Sequence, residues 1–315
     1  MGLRAPNLLR EGDLVALLGP SSPLPKSADA DRCATVVESL GLRVKRYPSS
    51  RQTYDYLAGT DRQRASDINR AFADKRIKGI FCIRGGYGSS RLLPAVDWKA
   101  AGRSGKPFVG FSDITSLIGG LNTAGGAVAV HAPTPSYFLK QDAPGKRSLK
   151  ALRKFLFEGY EGLSYRERCG RDFKPQIARR GKAKGRLVGG NLSLFAGLCG
   201  TQWMPKPKRG EKFILFIEEI HEQPYKIDRF LTQIILSGWM DHVAGVAVGG
   251  IDDCKPKRPD RWKGPDVVKF CLKDYKFPLL LGLPIGHCRP SYPLPIGAHV
   301  ELDAVKGDLR VVGSG

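Results

Sequence analysis

The chain has 315 residues, 42% of them hydrophobic, enough to build a sizeable core in two ordinary domains or one large α/β domain. Its 38 glycines and 22 prolines are spread along the whole length, which excludes a low-complexity chain, and no apolar run approaches the roughly 18 residues of a membrane span. The net charge of +21 admits a polyanionic partner such as nucleic acid, but equally a basic soluble enzyme with an acidic substrate.

The first apolar stretch, Leu14–Leu18, reads as a short buried strand ending in the turn Gly19-Pro20-Ser21-Ser22-Pro23. It is too short for a secretion signal, and Glu11 and Asp13 stand just before it, so a cytoplasmic location is expected. A helix over 27–40 follows, closed by Gly41. Thr60 and Gln63 have the spacing of a capping box, ahead of a helix that includes Ile68, Ala71 and Phe72. Short apolar runs over 79–83, 108–111 and 128–130 read as further strands separated by helical patterns. This βαβ rhythm predicts a parallel sheet with flanking helices over 1–165.

Residues 166–186 carry nine basic side chains against two acidic ones, together with Gly170, Pro175, Gly181 and Gly185. The segment reads as a solvated linker. It has no aromatics interleaved at a stacking period and no nucleic-acid motif, which argues against a nucleic-acid partner. Beyond it, strand signals over 213–217, 243–248, 279–281, 299–302 and 309–312 alternate with helical patterns near 192–198, 227–236 and 266–272. They predict a smaller, mixed α/β domain over 187–315. The seven cysteines are scattered with no C-x-x-C pair, so neither a disulfide framework nor a cysteine zinc site is expected, and no metal or cofactor is implied.

In a parallel α/β domain, chemistry gathers at the carboxyl ends of strands. Arg84-Gly85-Gly86-Tyr87-Gly88-Ser89 follows one strand, and its paired glycines suit either a tight turn or a backbone N–H cradle for an anion. Gly110-Phe111-Ser112-Asp113-Ile114-Thr115 takes a strand directly into a helix with a serine at the corner. That is the layout of a nucleophile elbow, although Ile114 replaces the last glycine of G-x-S-x-G and a plain helix N-cap would use the same residue. A serine nucleophile needs a histidine base oriented by a carboxylate. Of the five histidines, His131 and His287 end strands, His299 heads one, and His221 and His242 lie among charges. Glu218 and Glu219 close the apolar run Phe213-Ile214-Leu215-Phe216-Ile217, where an unpaired carboxylate is costly. Alternation does not choose between the two, because both faces of that run are apolar.

Taken together, these segments resemble the LD-carboxypeptidases, a serine peptidase family that also contains the microcin C immunity peptidases. The resemblance rests on the 19–23 turn, Ile83-Arg84-Gly85-Gly86-Tyr87-Gly88-Ser89, the serine corner, Gly189-Gly190-Asn191-Leu192, Leu215-Phe216-Ile217-Glu218-Glu219 and Pro284-Ile285-Gly286-His287, in family order along nearly the whole chain. It implies a two-domain fold in which Ser112, Glu218 and His287 form a catalytic triad and the backbone N–H groups of Gly86 and Asp113 form the oxyanion hole. Arg84, Gly85 and Asn191, within the matching segments, are expected against the substrate. One departure is Glu219, where many relatives have Asp. The resemblance further implies removal of the terminal D-alanine from cytoplasmic muropeptide tetrapeptides during cell-wall recycling. The other branch of the family cleaves peptidyl nucleotides and tends to be longer. A nucleic-acid binder on an inactive scaffold is the reading from another class, opposed by the presence of all three triad residues. Relatives form dimers, so a homodimer is an assembly open to this chain.

Overall fold

A computed structural model describes residues 2–256 and 262–313. The first five strands are β1 (Leu14–Leu18), β2 (Arg43–Arg46), β3 (Ile77–Cys82), β4 (Phe108–Gly110) and β5 (Ala129–His131). They pair in parallel in the order β5-β4-β3-β1-β2. β1 and β3 are almost wholly buried, as expected of strands covered by helices on both faces. The helix Asp61–Ala73 starts at the expected capping box: the Thr60 hydroxyl accepts from the Gln63 N–H and the Gln63 carboxamide oxygen accepts from the Thr60 N–H. Its buried face, Arg64, Ala65, Ile68, Ala71 and Phe72, follows helical spacing onto the sheet.

The remaining strands are β6 (Gln176–Arg179), β7 (Lys182–Asn191), β8 (Phe213–Ile220), β9 (Val243–Asp252), β10 (Leu279–Leu281), β11 (Leu294–Ile296), β12 (His299–Asp303) and β13 (Asp308–Gly313). All but β11 form a second, mixed sheet in the order β13-β12-β7-β8-β9-β10-β6. Its centre, β7-β8-β9-β10, is parallel, and β12, β13 and β6 pair antiparallel at the margins.

Two features differ from the expected organisation. The 166–186 segment is not a free linker. It includes a short helix, the edge strand β6 and the first half of β7, and several of its cations are tied down: Lys182 pairs with Asp303, Lys184 with Glu301 and Arg186 with Glu211. The 187–315 segment is also not confined to its own sheet. β11 returns to the first sheet and pairs antiparallel with β5, Leu294 opposite His131. The chain thus crosses between the sheets three times, after β5, β10 and β11.

Candidate active site

Ser112 sits where β4 turns into the helix Thr115–Gly120, at the corner expected from the sequence. Its φ is +61°, a left-handed conformation that costs a non-glycine residue on the order of 1 kcal/mol or more and that recurs where structure holds a functional side chain in place. Phe111 before it is fully extended. The turn is tight because Gly110 carries no side chain: a Cβ there would lie 2.8 Å from the Ile114 side chain. Ile114 therefore takes the place of the second glycine of an elbow without opening it.

The glycine loop after β3 passes directly over this corner. A Cβ on Gly85 would stand 2.9 Å from the Ser112 Cβ and 3.0 Å from its Oγ. Gly86 has a φ of +108°, and a Cβ on it would lie 2.5 Å from the Ser22 hydroxyl. Ser22 and this loop hold each other, its N–H donating to the Gly85 carbonyl and its hydroxyl accepting from the Tyr87 N–H. Neither the Gly86 nor the Asp113 N–H has an acceptor among the described residues. The Asp113 side chain is buried and occupied, its carboxylate accepting from the Ser21 hydroxyl (2.6 Å) and the Ser89 N–H (2.8 Å). Those bonds tie the loops at 21 and 89 to the serine corner.

Arg64 is a support that sequence reading missed. Its fully buried guanidinium donates to the carbonyls of Pro20, Gly59 and Gly88 and pairs with Asp61, pinning both loops that flank the serine. The available signal was an arginine in helical register with Ile68 and Phe72, on the face that meets the sheet.

The second sheet brings Glu218 and His287 to the same crevice. His287 Nδ1 lies 2.7 Å from Glu218 Oε2, and the His287 backbone N–H also donates to that oxygen at 3.3 Å. Glu218 is completely buried. Burial opposes its charge, but the imidazole of His287 outweighs that and holds the carboxyl below the usual range. Burial likewise opposes a proton on His287, but the charge and hydrogen bond of Glu218, with Glu219 and Asp252 adding to them, hold its pKa above the ordinary value. An ionised Glu218 accepts from Nδ1–H, which leaves Nε2 as the basic nitrogen. The ring packs on Phe111, centroids 4.7 Å apart, beside the serine corner. The Ser112 hydroxyl makes no hydrogen bond to a described residue, a looseness common in sites without substrate.

Glu218 is aimed by a bulge. Between β8 and β9 the register moves from Ile217 opposite Val248 to Glu219 opposite Ile251, so one extra residue of β9 faces Glu218. Glycines make room: a Cβ on Gly249 would lie 2.3 Å from the Ile285 carbonyl, and one on Gly286 (φ +107°) 2.6 Å from the Glu218 carboxylate. The His287 loop is further held from the first half of the chain, Tyr137 donating its hydroxyl to the Cys288 carbonyl and Asp142 pairing with Arg289.

The expected substrate residues land differently. Gly85 lies on Ser112, whereas the Arg84 guanidinium turns back to the Pro23 carbonyl. Asn191 is buried, and both ends of its amide are committed: Nδ2 donates to Glu219, and Oδ1 accepts from Ser193. Its Oδ1 also accepts from the Leu194 N–H, capping the helix Leu192–Ala196. The Asn191 N–H donates to the Thr115 hydroxyl, joining β7 to the helix that follows Ser112. Glu219, opposite in direction to Glu218, accepts from Asn191, Ser193 and Ile220.

An open parallel sheet with a strand-to-helix serine corner, set against a mixed sheet that delivers a paired histidine and glutamate, is a hydrolase scaffold. Residues 15–132 match the family model of the LD-carboxypeptidase N-terminal domain and residues 184–302 that of the C-terminal domain. The chain belongs to the LD-carboxypeptidase family and is an enzyme, a carboxypeptidase of the serine-peptidase type. It is 35% identical over 306 residues to the Bacillus subtilis (strain 168) protein named "Probable murein peptide carboxypeptidase", covering 96% of this chain and 92% of that one. The crystal structure of muramoyltetrapeptide carboxypeptidase from Oxalobacter formigenes superposes with a TM-score of 0.80 at 26% identity, over 95% of this chain and 97% of that one. The Escherichia coli microcin C7 self-immunity protein MccF is 27% identical over 321 residues, 93% of this chain and 92% of that one. Its wild-type apo structure shares the fold with a TM-score of 0.87 over 98% of each chain.

Proposed function

We propose that the enzyme removes the terminal D-alanine from muropeptide tetrapeptides in the cytoplasm, through an acyl-enzyme on Ser112. The observation that carries this reading is the 2.7 Å Glu218–His287 pair, its imidazole packed on Phe111, the residue before a serine held at positive φ. His287 Nε2 takes the hydroxyl proton as Ser112 Oγ attacks the carbonyl before D-alanine. The Gly86 and Asp113 N–H groups receive the oxyanion. His287 then returns the proton to the departing amine, and water, deprotonated by the same nitrogen, releases the shortened peptide and regenerates Ser112. Glu218 holds the imidazole tautomer and offsets its transient charge. Greater likeness to the murein-peptide relative (35%) than to MccF (27%) favours a peptide over a peptidyl nucleotide.

The test is incubation with L-Ala-D-Glu-meso-Dap-D-Ala, followed by mass spectrometry, beside an aminoacyl sulfamoyl adenosine. Loss of one alanine from the peptide alone is expected. Ser112→Ala should remove nearly all turnover while the fold persists, since loss of a triad member costs on the order of 10⁴ or more. Residual rate within about tenfold of wild type would refute the nucleophile assignment.

A further inference from the structure

His131 ends β5 and is completely buried behind the His287–Glu218 pair. Its ring stands edge-on to Phe111 (centroids 6.1 Å apart) and to Phe216 (5.4 Å). Phe111 precedes the nucleophile and carries the His287 ring, and Phe216 lies two residues before Glu218 on the same side of β8. His131 is therefore enclosed in the apolar seam where the ends of both sheets meet. Neither of its ring nitrogens has a partner among the described residues. The second carboxylate oxygen of Glu218, Oε1, is equally buried and equally unpaired. A buried imidazole N–H and a buried carboxylate oxygen are each costly alone and are complementary to one another.

We propose that His131 is a positioning residue for the reaction, its neutral imidazole donating an N–H to Glu218 Oε1 across one buried water. The chain of contacts then runs His131, water, Glu218, His287, Ser112. This rests on the triad reading above. No direct hydrogen bond joins His131 to Glu218. The titratable groups facing His131 are Glu218 and His287; those facing His287 are Glu218, Glu219, Asp252 and His131; those facing Glu218 are His287, His131, Glu219, Asp252 and Cys288. Burial holds the His131 pKa down to about 4 despite the nearby carboxylate, so the ring stays neutral at neutral pH and adds no second cation beside the imidazolium. With both oxygens held, Glu218 resists rotation and protonation. Without the His131 donor its charge is less stabilised, and the basicity it lends His287 falls.

If His131 merely fills the seam, phenylalanine should replace it without consequence. The test compares His131→Phe, His131→Asn and His131→Gln with wild type on the tetrapeptide, together with NMR titration of labelled histidine in a Ser112→Ala background, which needs no turnover. Expected for His131→Phe are a kcat lower by about 10- to 100-fold, the size of one hydrogen bond to a charged group, and a nearly unchanged KM. The acid limb of kcat/KM and the His287 titration should both move to lower pH. Asn and Gln place an amide N–H near Nδ1 and Nε2 respectively, so one of them should recover most of the loss. Wild-type kcat with an unmoved His287 titration in His131→Phe would overturn the proposal alone. Should phenylalanine not be accommodated, His131→Met supports the same comparison. Full activity in Ser112→Ala would remove the triad reading and this proposal together.

Discussion

Successive side chains of β8 leave opposite faces of the strand, so Glu218 and Glu219 meet different surroundings although both are buried. Glu218 meets His287; Glu219 meets only uncharged donors, from Asn191, Ser193 and Ile220. Burial pushes the Glu219 carboxyl above its usual range even against those bonds. Glu218→Gln keeps the shape but removes the charge that steadies the imidazolium. A comparable change in a serine protease triad lowers kcat by about 10⁴, and a loss of several orders is expected here. On the proposed triad, the wild-type acid limb of kcat/KM should lie above the ordinary histidine value of about 6.5, because Glu218 raises the pKa of His287, which must be neutral to act as base. In Glu218→Gln that limb should move to lower pH. Glu219→Gln should instead act on stability, since an amide turned toward backbone N–H donors loses acceptors, at about 1–3 kcal/mol. Its kcat should fall far less. Steady-state kinetics and thermal melts on both variants separate the roles, and a reversal of the two kcat losses would make Glu219 the triad acid.

Elements place those residues, and here glycines carry much of the geometry. The His287 loop lies on β9 and on Glu218 only because Gly249 and Gly286 lack side chains. Gly286→Ala would set a methyl against the Glu218 carboxylate, on a backbone at positive φ that alanine rarely adopts. Glu218 is boxed in by its own strand, so the His287 loop must yield and the 2.7 Å bond must lengthen. A kcat loss of at least about tenfold is expected, with destabilisation of about 1–3 kcal/mol and a smaller change in KM. An Ala variant with wild-type kcat would show that the loop adapts without cost. This layer was only partly legible in the sequence. β1 and β10 were readable to the residue, being short apolar runs between clear turns. β2 was not, since Arg43-Val44-Lys45-Arg46 is a polar edge strand with little apolar signal. β6 and β7 were hidden by their charges, whose counterions Asp303, Glu301 and Glu211 come from distant strands and loops. β11 contains Pro295, which reads as a break and is tolerated because the strand lies at the sheet edge. Ser112, the Glu218-Glu219 pair and His287 stood out as candidates because each follows a strand signal, and the family resemblance chose Glu218. The bulge that turns Glu218, the Arg64 clamp and the burial of His131 did not stand out, because each depends on partners far away in sequence.

At the scale of the whole molecule, the charge of +21 invites a polyanion, yet five of the nine cations in the densest basic stretch are committed to the fold. Lys182, Lys184 and Arg186 line β7 and neutralise acids of the second domain. The Arg179 guanidinium donates to the carbonyls of Leu272, Lys273 and Phe277, and Arg166 to that of Lys306. Cations already committed to protein acceptors must give up those contacts to meet phosphates, which offsets the gain from counterion release. What remains is a diffuse positive field. Such a field speeds the approach of an acidic small substrate and weakens with salt, without specifying a sequence or a strand. Nucleic-acid affinity should therefore stay in the non-specific range, about 10⁻⁴ to 10⁻⁶ M at ~150 mM salt, and should not depend on sequence. A gel-shift titration with DNA and RNA duplexes and single strands measures this. Submicromolar binding at that salt would mean the excess charge serves a second partner. The companion measurement is kcat/KM for the tetrapeptide against ionic strength. A field that acts on the approach of a multiply carboxylated substrate predicts that rising salt lowers kcat/KM while leaving kcat nearly constant. A salt-independent kcat/KM would leave the charge without a role in substrate capture.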